Sequence, residues 1–205
     1  MNISRINSSA DPRFRQSVLN QHGGFLVNGE PYEVEIQSDF EAVIRGREVA
    51  HFPTVIEEFR FYAPHITVFH DENSQIILEF PERNLLTIPL KDIQPSQFYV
   101  DKDKIAAVAS FIQSQKDIIV QVLRHDGRYI ALDGHTRLYY ATTQGWNSVR
   151  AVEETSNDYI YDFVKEAITQ NIYTPHDLKL VSHLEYEEKW NKFCDDYFAA
   201  KSSKG

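Results

Sequence analysis

A segment near the middle of the chain groups a carboxylate, an imidazole, a hydroxyl and a guanidinium within five positions. Its residues are Asp133, Gly134, His135, Thr136 and Arg137. The apolar run before it predicts a strand and the residues after it predict a helix, so the segment opens a helix. Unpaired N–H groups and the helix dipole favour an anion there, and glycine lets the backbone approach a ligand closely. The pattern predicts a phosphate site.

Each polar residue of this segment has a predicted role and a structural alternative. We expect Asp133 to bind a metal ion or accept a proton, or else to cap the helix. We expect Arg137 to contact phosphate, because a guanidinium matches phosphate with forked hydrogen bonds, or else to form an ion pair. His135 is expected to contact a ligand or to transfer a proton near neutral pH, or else to pack. Thr136 is a further candidate phosphate contact.

The residues before this segment predict a β-rich unit over 1–84. Asn28-Gly29 lies between two apolar runs and predicts a hairpin with a two-residue turn. The runs 65–69 and 75–80 predict a second hairpin. Met1 to Asp11 is polar and is expected to be loose.

After residue 84 the chain predicts a mixed core followed by helices. Strands and helices alternate over 85–155, with a turn at Lys91 to Ser96 and a helix from Asp101. Residues 156–205 predict a helical extension, so the expected fold class is α+β. An apolar stripe on the last helix predicts core packing or a homodimer contact. It comprises Trp190, Phe193 and Phe198.

Composition restricts the classes of partner. The chain has 205 residues and a net charge of −9, which disfavours broad nucleic-acid binding because that needs many Lys and Arg contacts to phosphate. The single cysteine, Cys194, allows neither an intramolecular disulfide nor a cysteine-based metal cluster. Met1 to Arg15 contains no apolar run of the signal-peptide type, and no stretch predicts a membrane span. We therefore expect a cytoplasmic protein with no membrane partner.

The stretch from Ile88 to Val152 resembles the ParB/sulfiredoxin superfamily. The matching stretches, in order, are Ile88–Pro95, Ile118–Val122, Tyr129–Arg137, Ala141, Gly145 and Val149–Val152. The resemblance covers about a third of the chain and implies a small α/β domain that holds the phosphates of a nucleotide at this helix N-terminus. It also implies that Gly134, His135, Thr136 and Arg137 contact those phosphates.

Two branches of the superfamily fit this chain poorly. Sulfiredoxins carry a catalytic cysteine where this chain has His135, so reduction of a sulfinic acid is disfavoured. ParB partition proteins have an arginine after the proline-bearing turn and a DNA-reading helix downstream. Here the turn is Pro95-Ser96-Gln97-Phe98, and the helices that follow are acidic.

The motif is most similar to that of the nucleotide-dependent free serine kinases. In that branch the aspartate assists the metal or the substrate, the histidine and arginine hold phosphates, and a glutamate near the proline turn is the base. Gln97 stands near the place of that glutamate and cannot accept a proton. Asp101 or Asp103 could substitute only if the loop differs.

Residues and resemblance together imply a nucleotide-binding protein with ATP, ADP or CTP and Mg²⁺ as cofactors. The expected activity is phosphoryl transfer to a small hydroxyl substrate, or nucleotide hydrolysis. A non-enzymatic nucleotide-gated or scaffolding module is the first alternative, because Gln97 replaces the base. A ParB-type DNA-binding protein is the second, and the net charge speaks against it.

Overall fold

The computed structural model of the chain describes residues 1–8 and 10–202. The chain divides into two compact units, Met1–Asn84 and Leu85–Gly205, and each has its own hydrophobic core. Sheets and helices occur in both units, so the fold is α+β, as predicted. No helix among the described residues combines the length and the apolar composition that crossing a bilayer requires.

A six-stranded sheet forms the N-terminal unit, with its strands in chain order. The strands are β1 (Ile3–Arg5), β2 (Gly24–Val27), β3 (Glu30–Ile36), β4 (Glu41–Gly46), β5 (Val68–His70) and β6 (Ile76–Glu79), and the helices are α1 (Gln16–Asn20) and α2 (Phe52–Arg60). Neighbouring strands are antiparallel except for β4 and β5, which are parallel. The hairpins predicted at Asn28-Gly29 and between β5 and β6 are confirmed. The inner face of α2 supplies Val55, Ile56 and Phe59 to the core.

The expectation of a loose N-terminus was wrong for part of Met1 to Asp11. Ile3–Arg5 forms the edge strand β1 and pairs antiparallel with β2, Ile3 opposite Val27. Such a short strand is stabilised by its neighbour's backbone and not by a periodicity of its own, so the sequence shows no signal for it. Ser9 lies outside the described residues.

The C-terminal unit contains a five-stranded sheet in the order β7-β12-β10-β11-β8 and a two-stranded sheet of β9 and β13. The strands are β7 (Leu85–Pro89), β8 (Ile93–Pro95), β9 (Tyr99–Asp101), β10 (Ile119–His125), β11 (Arg128–Ala131), β12 (Ser148–Glu153) and β13 (Lys179–Val181). The helices are α3 (Lys102–Phe111), α4 (His135–Thr143), α5 (Tyr159–Thr169), α6 (His183–Tyr186) and α7 (Lys192–Ser202), with a π-helical turn, Glu187–Asn191, between the last two.

The predicted turn at Lys91 to Ser96 contains a strand instead. Ile93–Pro95 is β8, which pairs parallel with β11 at the edge of the sheet. Proline is tolerated in an edge strand because one of its sides needs no hydrogen bond. This strand matters for the site, because the parallel pairing brings the residues after β8 beside the residues after β11.

Residues beyond 155 complete the core of this unit. Ala167, Ile172 and Leu178 belong to the same buried cluster as the sheet. The stretch 179–181, which was expected to be helical, is the strand β13 and pairs parallel with β9. Residues 203–205, at the end of the predicted extension, lie outside the described part of the chain.

The aromatic stripe of the last helix packs within the chain. The ring of Trp190 lies 5.0 Å from that of Phe98 and 5.7 Å from that of Phe163, and Phe193 lies 5.2 Å from Phe98. Phe198 is 45% exposed but also contacts Phe163. Trp190 and Phe193 of the stripe therefore pack against the hydrophobic core of this unit. The homodimer contact stays a prediction.

Candidate functional site

The first candidate site is the junction between β11 and α4. Gly134 precedes the helix with φ of 87°, and this N-cap residue has no side chain that could cap the helix. A Cβ at this position would lie 2.7 Å from Val120 Cγ1, so both backbone conformation and packing require glycine. The N–H of Leu138 makes the first helical bond, 2.9 Å to the Gly134 carbonyl. The N–H groups before it start the helix without a helical partner, which is the arrangement that attracts an anion.

Arg137 is fixed beside this helix N-terminus. Its Nη1 donates to the Ile119 carbonyl at 2.6 Å, and its Nη2 donates to Asp133 Oδ2 at 2.9 Å. The side chain is only 22% exposed, so its position is held by the surrounding structure. A guanidinium carries five N–H donors, and this pairing leaves donors for a phosphate.

The Asp133 side chain forms an ion pair and is also accessible to solvent. Its carboxylate accepts from Arg137, yet the side chain is 55% exposed. Mg²⁺ is commonly bound by one or two carboxylates together with phosphate oxygens and water. A single exposed carboxylate next to the predicted phosphate site fits that donor set, so Asp133 could hold Mg²⁺ there.

His135 lies under the junction and not at its surface. The residue is 6% exposed, and its Nε2 accepts a hydrogen bond from the Ser96 N–H at 3.2 Å. Burial lowers the pKa of His135 to about 4, with Asp133 opposing and Arg137 adding to this effect. The imidazole is therefore neutral and ties the end of β8 to α4. This environment disfavours the predicted proton transfer near neutral pH and supports a positioning role.

The buried imidazole predicts a loss of stability in acid. Because the folded-state pKa is about 4 and the ordinary value is 6.5, the unfolded chain binds a proton first as the pH falls. The stability that comes from keeping His135 neutral is complete above pH 6.5 and is lost as the pH falls to about 4, by roughly 3 kcal/mol. Urea denaturation at several pH values will show this. His135→Gln does not titrate in that window and should lose less stability; equal losses would contradict the prediction.

Thr136 occupies the exposed side of the same turn. It is partly exposed in the first turn of α4, next to the N–H groups described above. The structure thus brings Asp133, Thr136 and Arg137 together at the helix N-terminus. Gly134, the residue before the helix, is buried.

A second cluster lies at the start of α3. The sequence indicated Asp101 and Asp103 as replacements for the base only if the loop differs, and it gave no indication of His183. Asp101 is 1% exposed; its Oδ1 accepts the Asp103 N–H at 2.9 Å and its Oδ2 contacts His183 Nδ1 at 2.7 Å. The ligand atoms of Asp101, Asp103 and His183 lie within 4.8 Å of one another. Because Oδ2 and Nδ1 already share a proton, the cluster is a hydrogen-bonded pair with a second carboxylate nearby.

Gln97, near the place where the resembling kinases have their catalytic glutamate, makes two hydrogen bonds within the chain. Gln97 Nε2 donates to the Tyr99 carbonyl and, at 3.4 Å, to the Tyr186 hydroxyl. Burial raises the pKa of Tyr186, so its hydroxyl stays protonated. Gln97 therefore links the turn after β8 to helix α6 and supplies no base.

Comparison with known proteins adds little to this geometry. No protein-family model matches the chain, and no curated protein matches it. Among solved structures, the protein Atu1540 from Agrobacterium tumefaciens is similar over 47% of this chain, with 19% identity and a TM-score of 0.34. The matched region spans 61% of that protein. At this level the likeness supports no conclusion about fold or activity.

Proposed function

We propose that this protein binds a nucleotide by its phosphates at the N-terminus of α4. The observation that carries the proposal is the joint placement of the first helical turn after Gly134 and the Arg137 guanidinium held beside it. Backbone N–H groups and a fixed guanidinium are complementary to a polyphosphate in both charge and hydrogen bonding. The candidate nucleotides stay ATP, ADP and CTP, and the proposed contacts involve their phosphates only.

The same groups suit phosphoryl transfer to a small hydroxyl substrate. Such transfer depends on positioning and on neutralising charge, with little covalent chemistry by the protein. Arg137 and the helix N-terminus would stabilise negative charge on the transferred group. Asp133 would hold Mg²⁺ against the phosphates, where the ion neutralises charge and orients the phosphate oxygens.

A non-enzymatic nucleotide-binding module is the second candidate. The observation that favours it is Gln97, which stands near the place where the resembling kinases have their base and is hydrogen-bonded to Tyr99 and Tyr186. Binding of a nucleotide without turnover of that nucleotide or of any small hydroxyl compound would select this alternative. A ParB-type DNA-binding role gains no support from a chain of net charge −9.

Thermal shift against ATP, ADP, CTP and GTP, each with and without Mg²⁺, tests the proposal directly. A ligand that binds only the folded state raises the melting temperature, by the equivalent of about 2.7 kcal/mol at one hundred times its Kd. We expect a rise for one nucleotide and a larger rise with Mg²⁺. No rise with any nucleotide would overturn the proposal.

Thr136→Glu should block the site without damaging the fold. A carboxylate in the first helical turn interacts favourably with the helix dipole, by about 0.3 to 1 kcal/mol, yet repels a phosphate from the same position. We expect the unliganded protein to be as stable as the wild type and the nucleotide-dependent rise in melting temperature to disappear.

The matched control is Thr54→Glu, the same change in the first turn of α2. It should keep the full response to the nucleotide, because Thr54 is not a residue of the proposed phosphate site. If Thr136→Glu shows the same nucleotide-dependent rise in melting temperature as the wild type, the phosphates do not bind at the N-terminus of α4.

A further inference from the structure

The Asp101–His183 pair has the form of an oriented base. The carboxylate is buried and held by the Asp103 N–H, while the His183 side chain is 58% exposed. Since Nδ1 faces the carboxylate, the other ring nitrogen, Nε2, is left to accept a proton. A carboxylate that fixes one imidazole nitrogen sets the tautomer and stabilises the imidazolium that forms when the other nitrogen takes a proton.

The pair is built from segments that are distant in sequence. The parallel pairing of β9 with β13 sets Val181 opposite Asp101, and Ser182 then caps α6 at its start. His183 is the first residue of that helix, so the capped turn fixes its backbone next to Asp101. Neither strand is needed to complete the main sheet.

The turn after β8 connects this pair to the phosphate site. The N–H of Ser96 bonds to His135, the first residue of α4, and the amide of its neighbour Gln97 bonds to Tyr186. Tyr186 lies three residues after His183 on the same helical turn. Two adjacent residues thus contact the first turn of α4 and the helix that carries His183.

We propose that His183 is the general base that deprotonates the hydroxyl substrate, with Asp101 as its positioning residue. This inference rests on the proposed function, because it names the base for phosphoryl transfer at the α4 site. It also accounts for Gln97, since a base supplied by the Asp101–His183 pair removes the need for a glutamate in the turn.

The step balances with two substrates, a nucleoside triphosphate and a small alcohol. His183 Nε2 takes the proton of the hydroxyl group as its oxygen forms a bond to the γ-phosphorus. The bond from that phosphorus to the bridging oxygen breaks, and the nucleoside diphosphate leaves with the electron pair. The imidazolium is stabilised by the Asp101 carboxylate and then loses its proton to water.

His183→Gln is the direct test. Gln can keep a hydrogen bond to Asp101 but cannot accept the proton, so we expect turnover to fall by a factor of about 10² to 10⁴. Nucleotide binding, followed by thermal shift with Mg²⁺, should be unchanged. Turnover is measured as the nucleoside diphosphate formed from a bound triphosphate, or the monophosphate formed from ADP, with a panel of small alcohols that includes amino-acid hydroxyls.

The control is His176→Gln, which removes another exposed histidine of the same unit. It should leave both binding and turnover as in the wild type. A comparable loss in the two variants would point to a general effect on the fold and would overturn the inference.

The pH profile tests the positioning role of Asp101. Asp101, Glu187 and Asp103 all face His183 and raise its pKa above 6.5, with the hydrogen bond to Asp101 as the largest cause. The turnover rate should therefore fall as the pH drops through that raised pKa. Asp101→Asn keeps the oxygen that caps α3 but removes the charge, so the acid limb should move to lower pH and the maximal rate should decrease. NMR titration of His183 in the two proteins checks the assignment.

The outcomes separate the two proposals. Normal nucleotide binding with full turnover in His183→Gln would refute the role of His183 as general base but not the proposed nucleotide site. Nucleotide binding without turnover in the wild type would also refute the role of His183 as general base, because there would be no reaction that requires a base. An absence of nucleotide binding in the wild type overturns the proposed function itself. Lost turnover with retained binding in His183→Gln alone supports the inference.

Discussion

Arg137→Met is expected to abolish the nucleotide-dependent rise in melting temperature. Methionine keeps the apolar stem but removes the charge and both hydrogen bonds, one to Asp133 and one to the Ile119 carbonyl. Loss of the donor to that carbonyl should also destabilise the unliganded protein by about 1 to 3 kcal/mol. Urea denaturation measures the stability change, and thermal shift with Mg²⁺ and the nucleotide measures binding.

Two further substitutions separate charge from geometry. Arg137→Lys keeps a positive charge but not the forked donor set, so we expect binding to be weakened without being lost. Arg124→Met removes an exposed arginine of β10, 60% exposed, and should leave binding unchanged. Wild-type binding by Arg137→Met would show that the guanidinium does not hold the phosphates.

The junction of β11 and α4 was predictable because its signals are local. An apolar run ends at Leu132, Asp133 and Gly134 follow, and helical spacing begins at once. The chemistry of the individual side chains was less predictable. His135 has the residue type of a proton carrier, but its neutral state follows from burial against Ser96, a residue 39 positions away.

The parts that sequence reasoning missed depend on distant partners. The strands β1, β8 and β13 each have three residues, too few for a periodic pattern, and each exists through pairing with another strand. The Asp101–His183 pair joins residues 82 positions apart and results from the pairing of β9 with β13. The only local signal was the capping sequence Ser182 to Glu185, which predicts where the helix starts and not what it contacts.

Gly134→Ala should destabilise the C-terminal unit by about 2 to 5 kcal/mol. The left-handed backbone costs an alanine about 1 to 2 kcal/mol, and the forced contact of its methyl group with Val120 adds about 1 to 3. The methyl group would also lie 3.2 Å from Arg137 Nε, so it should displace the guanidinium and weaken nucleotide binding. Urea denaturation and thermal shift measure the two effects.

Gly145→Ala isolates the backbone part of this cost. Gly145 also has a positive φ, 70°, but an added Cβ there meets no atom within 4 Å. It should therefore cost only about 1 to 2 kcal/mol and leave nucleotide binding intact. Adding Val120→Ala to Gly134→Ala opens space for the methyl group, so the two changes should cost less together than the sum of their separate effects. If Gly134→Ala costs no more than Gly145→Ala, the close packing of strand against helix does not hold Arg137 at the proposed phosphate site.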